Sequence, residues 1–200
     1  MDHDDEETYI MLLLSDSNLP TGSFVASSGL ESYIKHGFSS QPDSTTITFL
    51  RDSLQTYARS ALAFVSDAHR IVEQFRLDGD DGMEETQEKL LSDLSTLDES
   101  YETITLNHVS RRASKSQGVA LLTLYSKGFS RPSFLPFRGS QDQQAKESHL
   151  ATLVDRFKLM VRRGDTHGHL PTCWGVLTAV LGLSLGSTPL RFRLLNVHLT

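Results

Sequence analysis

The spacing of apolar residues over residues 44–75 constrains the fold more than any other feature of this sequence. Apolar side chains recur there every three or four positions, as they do along one face of an α-helix. Similar patterns predict further helices at residues 8–14, 24–36, 84–97, 99–125, 141–163 and 170–185. No alternating pattern of useful length predicts a strand. The predicted fold class is therefore all-α, a globular bundle of about six or seven helices.

Length and composition narrow the function classes. A chain of 200 residues has the length of one domain, and its net charge of −6 argues against a nucleic-acid binder. The single cysteine, Cys173, excludes an internal disulfide framework and a multi-cysteine zinc site, and it indicates a reduced, cytoplasmic location. Acidic residues precede the first short apolar run, whereas a secretory signal begins with positively charged residues. The uncharged stretch at residues 170–190 contains proline and glycines, so we interpret it as a buried helix and predict no membrane span.

The charges are unevenly distributed along the chain. Residues 78–102 carry ten acidic side chains and one base, whereas residues 111–163 carry eleven bases and three acids. Opposed patches of this kind can steer a charged partner. They are also compatible with two solvated faces of surface helices, which is the simpler interpretation.

The sequence lacks the motifs of several enzyme classes. There is no phosphate-binding P-loop, no glycine-rich dinucleotide fingerprint and no Gly-x-Ser-x-Gly nucleophile elbow. One small cluster, His167, His169 and Cys173, combines the imidazole and thiolate ligands that suit zinc, nickel or copper. It can be interpreted either as a weak candidate metal site or as a structural loop with one buried thiol.

Three blocks of sequence resemble the urease accessory protein F family. Residues 12–31, LLLSDSNLPTGSFVASSGLE, are similar to its N-terminal signature. Residues 106–118 are similar to its central helix, and residues 169–183 to its His-x-Pro block and the helix that follows. The resemblance covers residues 8–186, after an acidic N-terminus at residues 1–7 that we predict to be disordered. Residues 187–200 do not resemble the family's continuation, so we expect the chain to be truncated at its C-terminal end.

The resemblance implies a non-catalytic, dimeric scaffold in the maturation of nickel-dependent urease. Such a protein bridges a G-type GTPase that carries nickel and a D/H-type accessory protein, and the assembly delivers nickel to apo-urease. The chain itself is expected to bind no cofactor tightly and to contact neither nucleic acid nor membrane. Its candidate partner-binding residues are Ser15, Asp16, Pro20, Gly22, Ser27, Ser28, Glu31, Arg111, Arg112 and Lys115.

Alternatives remain at each of these positions. The small residues near Ser27 can serve ordinary helix packing, and the bases at 111–115 can form a solvated helix face. Two other functions also stay open: a metal-handling protein that uses His167, His169 and Cys173, and a generic helical interaction domain.

Overall fold

A computed structural model describes residues 3–14, 30–36, 42–77, 83–129 and 141–185 of the chain. These residues form seven α-helices and no strand, which confirms the all-α prediction. The helices are α1 (His3–Leu14), α2 (Leu30–Lys35), α3 (Pro42–Leu77), α4 (Met83–Ile104), α5 (His108–Leu124), α6 (Gln141–Arg163) and α7 (Leu170–Val180), with a π-helical turn (Tyr125–Phe129) after α5.

The uncharged helix α7 lies at the centre of the bundle. Its residues from Leu170 to Ala179 are buried, and α7 packs chiefly against α3 and α5. Such a helix has no polar face to turn to water, so neighbouring helices must cover it. Trp174 and Phe157 are the largest fully buried side chains of the resulting core. No helix in the described segments combines the length and the apolarity needed to span a bilayer.

The helix bounds confirm some predictions and correct others. The predicted helix at residues 141–163 is confirmed as α6, and that at 44–75 is two residues longer at each end as α3. The predicted break at residue 98 is wrong, because α4 continues to Ile104. The break lies instead at residues 105–107, where the side chain of Asn107 accepts hydrogen bonds from Val109 N (2.8 Å) and Ser110 N (3.3 Å) and caps α5.

The predicted C-terminal end of the apolar helix, at residue 185, is also corrected. Helix α7 ends at Val180, because Gly182 adopts a left-handed conformation with φ = 70°. Gly182 N then donates to Ala179 O and Leu183 N to Thr178 O, both at 3.0 Å, which is the Schellman arrangement of a helix C-terminus. The turn keeps Leu183 buried although it has left the helix.

Near the N-terminus, α1 begins at His3, so residues 3–7 are helical where the sequence predicts disorder. Helix α2 occupies only the last part of the helix predicted at residues 24–36, whose first six positions lie outside the described residues. The predicted turn at 15–23 and the tail at 187–200 also lie outside them. The predicted loop at 128–140 starts inside the π-helical turn, and its remaining residues from 130 are not described.

Candidate functional site

A buried carboxylate, that of Asp98, organises the junction between α4 and the start of α7. Asp98 Oδ2 accepts hydrogen bonds from Thr166 Oγ1 (2.9 Å), His167 N (2.8 Å) and Gly168 N (2.7 Å), and Oδ1 accepts one from His169 N (3.0 Å). Its side chain is fully buried. A buried charge is tolerated when hydrogen bonds replace its hydration. Asp98 therefore fixes the turn between α6 and α7 onto α4.

His169, the N-cap residue of α7, extends the network to α5. Leu170 N donates to Ser114 Oγ (3.0 Å), so the Ser114 hydroxyl can give its proton to His169 Nδ1 (3.2 Å). That arrangement leaves the proton of the neutral imidazole on Nε2, which donates to Glu102 Oε2 (2.7 Å). Burial lowers the pKa of His169, although the charges of Asp98 and Glu102 act to raise it. The geometry thus favours a neutral imidazole with both nitrogens occupied.

Glu102 links the acidic helix α4 to the basic helix α5. Its carboxylate pairs with Lys115 Nζ (3.0 Å) and Arg111 Nη1 (3.4 Å) as well as with His169. Burial acts to raise the pKa of Glu102, but the hydrogen bonds from Lys115 and His169 outweigh it and the pKa is lowered. Arg111 Nε also donates to the carbonyl of Thr105. Arg111 and Lys115 are consequently committed to contacts within the chain.

The predicted partner-binding residues fall into three groups. Ser15, Asp16, Pro20, Gly22, Ser27 and Ser28 lie outside the described residues. Glu31 is exposed in the first turn of α2. Of the three bases, Arg111 and Lys115 are partly buried with Glu102, whereas Arg112 is exposed and has no ion pair within the described part of the chain. Their role in binding a partner stays a prediction.

The two charged stretches contact each other in space. Besides the pairs of Glu102, Arg156 of α6 lies 3.7 Å from Glu88 of α4 and donates to the side chain of Gln87. The two stretches are therefore partly paired within the molecule, while Asp93, Arg112 and Arg162 remain exposed, as expected for solvated helix faces.

The three candidate metal ligands occupy different environments. His167 lies between Glu99 (Nε2–Oε2, 2.8 Å) and Lys115 (Nδ1–Nζ, 3.1 Å), near the surface. Both nitrogens of His169 are engaged, and burial raises the pKa of the Cys173 thiol well above its ordinary value. Within the segments that the structure describes, no three His, Cys, Asp or Glu side chains are arranged to hold a metal ion. The geometry therefore does not favour the metal-site interpretation of this cluster.

Sequence reasoning missed Asp98, Glu102 and Ser114 as members of this network. One signal was available: Asp98 follows Leu94 by four positions and precedes Tyr101 by three, so it lies on the apolar face of α4. An acid on such a face must find internal donors, and here it does.

Two histidines that are buried in the described structure, His69 and His169, predict an acid-sensitive fold. Burial lowers the pKa of both His69 and His169. For His69 the charge of Glu73 acts in the opposite direction. His69 Nδ1 lies 3.1 Å from Thr178 Oγ1. In the unfolded chain both titrate near the ordinary value of about 6.5. Below that pH the unfolded state takes up protons that the folded state does not, so stability is present above pH 6.5 and is lost as the pH falls. We expect the free energy of unfolding to decrease between pH 7 and 5, by up to about 1.4 kcal/mol per pH unit for each histidine.

Urea denaturation at pH 7.5, 6.5 and 5.5 checks this expectation. The variant His169→Asn should show a shallower pH dependence, whatever its absolute stability. The matched control is His108→Asn at an exposed position of α5, which should keep the slope of the parent. Equal slopes in all three proteins would contradict the assignment.

Comparison with known proteins adds independent findings. The family model described as UreF matches residues 42–192. Urease accessory protein 6 of Cryptococcus neoformans var. grubii is 37% identical over an alignment of 219 positions, which covers 97% of this chain and 67% of the relative. A Schizosaccharomyces pombe protein named "Uncharacterized urease accessory protein UreF-like" is 30% identical over 188 residues, covering 94% of this chain and 66% of the relative. The chain thus spans about two thirds of the length of these relatives. No solved structure matches it significantly.

Proposed function

The chain belongs to the UreF family of urease accessory proteins, and from that premise we propose that it is a non-catalytic scaffold of urease maturation in the cytoplasm. In this proposal it bridges the nickel-carrying GTPase of the system and a D/H-type accessory protein, acts as a homodimer, and binds no cofactor tightly. Nickel is the cargo that the assembly transfers to apo-urease. The names of the two relatives support a role in the urease system. The bridging of two partners goes beyond what those names state.

The scaffold proposal rests on one observation: the polar groups around Asp98 already have hydrogen-bond partners within the chain. General bases and nucleophiles need a free lone pair that a substrate can reach. Here Asp98 accepts four hydrogen bonds, His169 uses both nitrogens, and the Cys173 thiol is buried with a raised pKa. These groups hold α4, α5 and α7 together. The network therefore fixes the positions of these helices relative to one another, which supports a role in presenting surfaces to partners.

Reconstitution from purified components tests the proposal. We expect the GTPase and the D/H-type protein to elute together in size-exclusion chromatography only when this protein is added. We also expect a strain that lacks its gene to make urease protein of normal abundance but without activity. Multi-angle light scattering on the isolated protein should give the mass of a dimer.

Two outcomes would contradict it. If neither partner associates with the protein, the bridging role is wrong. If equilibrium dialysis instead shows tight stoichiometric nickel binding that His169→Ala abolishes, the protein handles the metal directly. His36→Ala, at an exposed position beside α2, is the matched control for that measurement.

A further inference from the structure

The corner between α4 and α5 turns three large apolar side chains to solvent. Ile104, Leu106 and Val109 are 52%, 85% and 54% exposed, although they lie within six consecutive residues. Single exposed apolar residues are ordinary on protein surfaces, whereas several close together point to an interaction site. None of the three belongs to the hydrophobic core or packs against it.

The same corner is held rigidly. Thr105 N and Thr105 Oγ1 both donate to Tyr101 O, at 3.1 and 2.9 Å, and the side chain of Asn107 caps α5. Arg111 donates to the Thr105 carbonyl and pairs with Glu102, which anchors the corner to α4. The backbone that carries the three exposed apolar side chains is therefore already ordered in the folded protein. Binding a partner requires little further ordering of it, which favours association.

Within residues 103–112 the exposed charged side chain is that of Arg112, a base in a chain whose net charge is −6. Arg112 follows Val109 by three positions, so both lie on one face of α5, and Arg112 is exposed without an ion pair among the described residues. Two such corners would repel each other, which disfavours a second copy of this corner as the occupant. Charge complementarity favours a surface that carries carboxylates.

We propose that this corner, formed by Ile104, Leu106, Val109 and Arg112, is a docking surface for a partner protein that presents apolar side chains bordered by aspartate or glutamate. The inference rests on the proposed scaffold function and names one of the surfaces through which it acts. Leu106 fills an apolar depression of the partner, and Arg112 pairs with a carboxylate at its edge. Apolar side chains at the centre and a charged side chain at the border match the apolar core and polar rim of protein interfaces.

The test uses Leu106→Glu and Arg112→Glu in the full chain. Each variant and the parent are titrated separately, by biolayer interferometry, with the purified GTPase, the D/H-type accessory protein and apo-urease of the same organism. We expect one of these proteins to lose about tenfold or more in affinity for each variant. Its binding to the parent should weaken as salt rises, and this salt dependence should shrink in Arg112→Glu. The matched control is Leu159→Glu on α6, where the leucine is 43% exposed, and it should bind like the parent.

The outcomes separate this inference from the function on which it rests. If the parent binds none of the three proteins, the scaffold function is wrong, and this inference falls with it. If the parent binds and both variants bind equally well, the scaffold function stands and the docking surface is overturned. If light scattering shows that Leu106→Glu dissociates a dimer of the parent, the corner is an interface between copies and the proposal is again overturned. Thermal melts of the variants should match the parent, because both substituted side chains are exposed.

Discussion

Replacing Gly175 with alanine is expected to lower the free energy of unfolding by about 3 kcal/mol. A Cβ at this position would lie 2.5 Å from Val65 O, 2.7 Å from Ala68 Cβ and 2.9 Å from His69 N. These are atoms of the α3 backbone, or fixed to it, so no side chain can rotate to make room. The central helix α7 must move away from α3, which opens the largest helix contact of the core. Guanidinium denaturation measures the loss.

The control for Gly175→Ala is the same substitution at Gly128. A Cβ there would meet only Leu124 Cδ1, at 4.0 Å. Alanine normally favours helix over glycine by about 1 kcal/mol, so Gly128→Ala should be neutral or slightly stabilising. If Gly175→Ala is as harmless as Gly128→Ala, the close approach of α3 and α7 is wrong. A loss of similar size in both would instead point to a general intolerance of added side chains.

Long amphipathic helices were predictable because their pattern is local. The bounds of α6 match the prediction, and α3 differs by two residues at each end, since both helices repeat apolar residues on one face without interruption. The end of α7 was not predictable in the same way. Leu181 and Leu183 continue the apolar composition, but Gly182 turns the chain while Leu183 stays buried. Apolar composition reports burial, and it does not by itself report helicity.

The site was predictable only in part because its partners are remote in sequence. Arg111 and Lys115 stand out on a helix, yet their shared partner Glu102 lies in a different charged stretch, and only the folded structure shows the pairing. The helices predicted at residues 84–97 and 99–125 leave Asp98 between them, although it lies inside α4. Its four donors lie 68 to 71 residues further along the chain. No local pattern contains that information.

Replacing Asp98 with alanine is expected to cost about 4 kcal/mol, the second large effect that the structure predicts. The variant leaves the N–H groups of His167, Gly168 and His169 and the hydroxyl of Thr166 without their acceptor. Asp98→Asn should cost about half as much. An amide that keeps its oxygen at the Oδ2 position retains three of the four donors, but it turns an NH₂ group toward His169 N. In urea denaturation we therefore expect the parent to be the most stable, Asp98→Asn to be intermediate and Asp98→Ala to be the least stable.

Hydrogen exchange tests whether Asp98 stabilises mainly the turn before α7 or the whole fold. In Asp98→Ala the amides of residues 167–169 should exchange faster than those of α3, because the lost acceptor holds the turn before α7. Asp93→Ala, at an exposed position of α4, is the control and should change stability by less than about 0.5 kcal/mol. A variant at Asp98 that keeps full stability but no longer supports urease activation would show that the position of the turn before α7, rather than overall stability, is what activation requires. Loss of both, with exchange increased first at the turn, would show that the surfaces used for binding depend on this one buried charge.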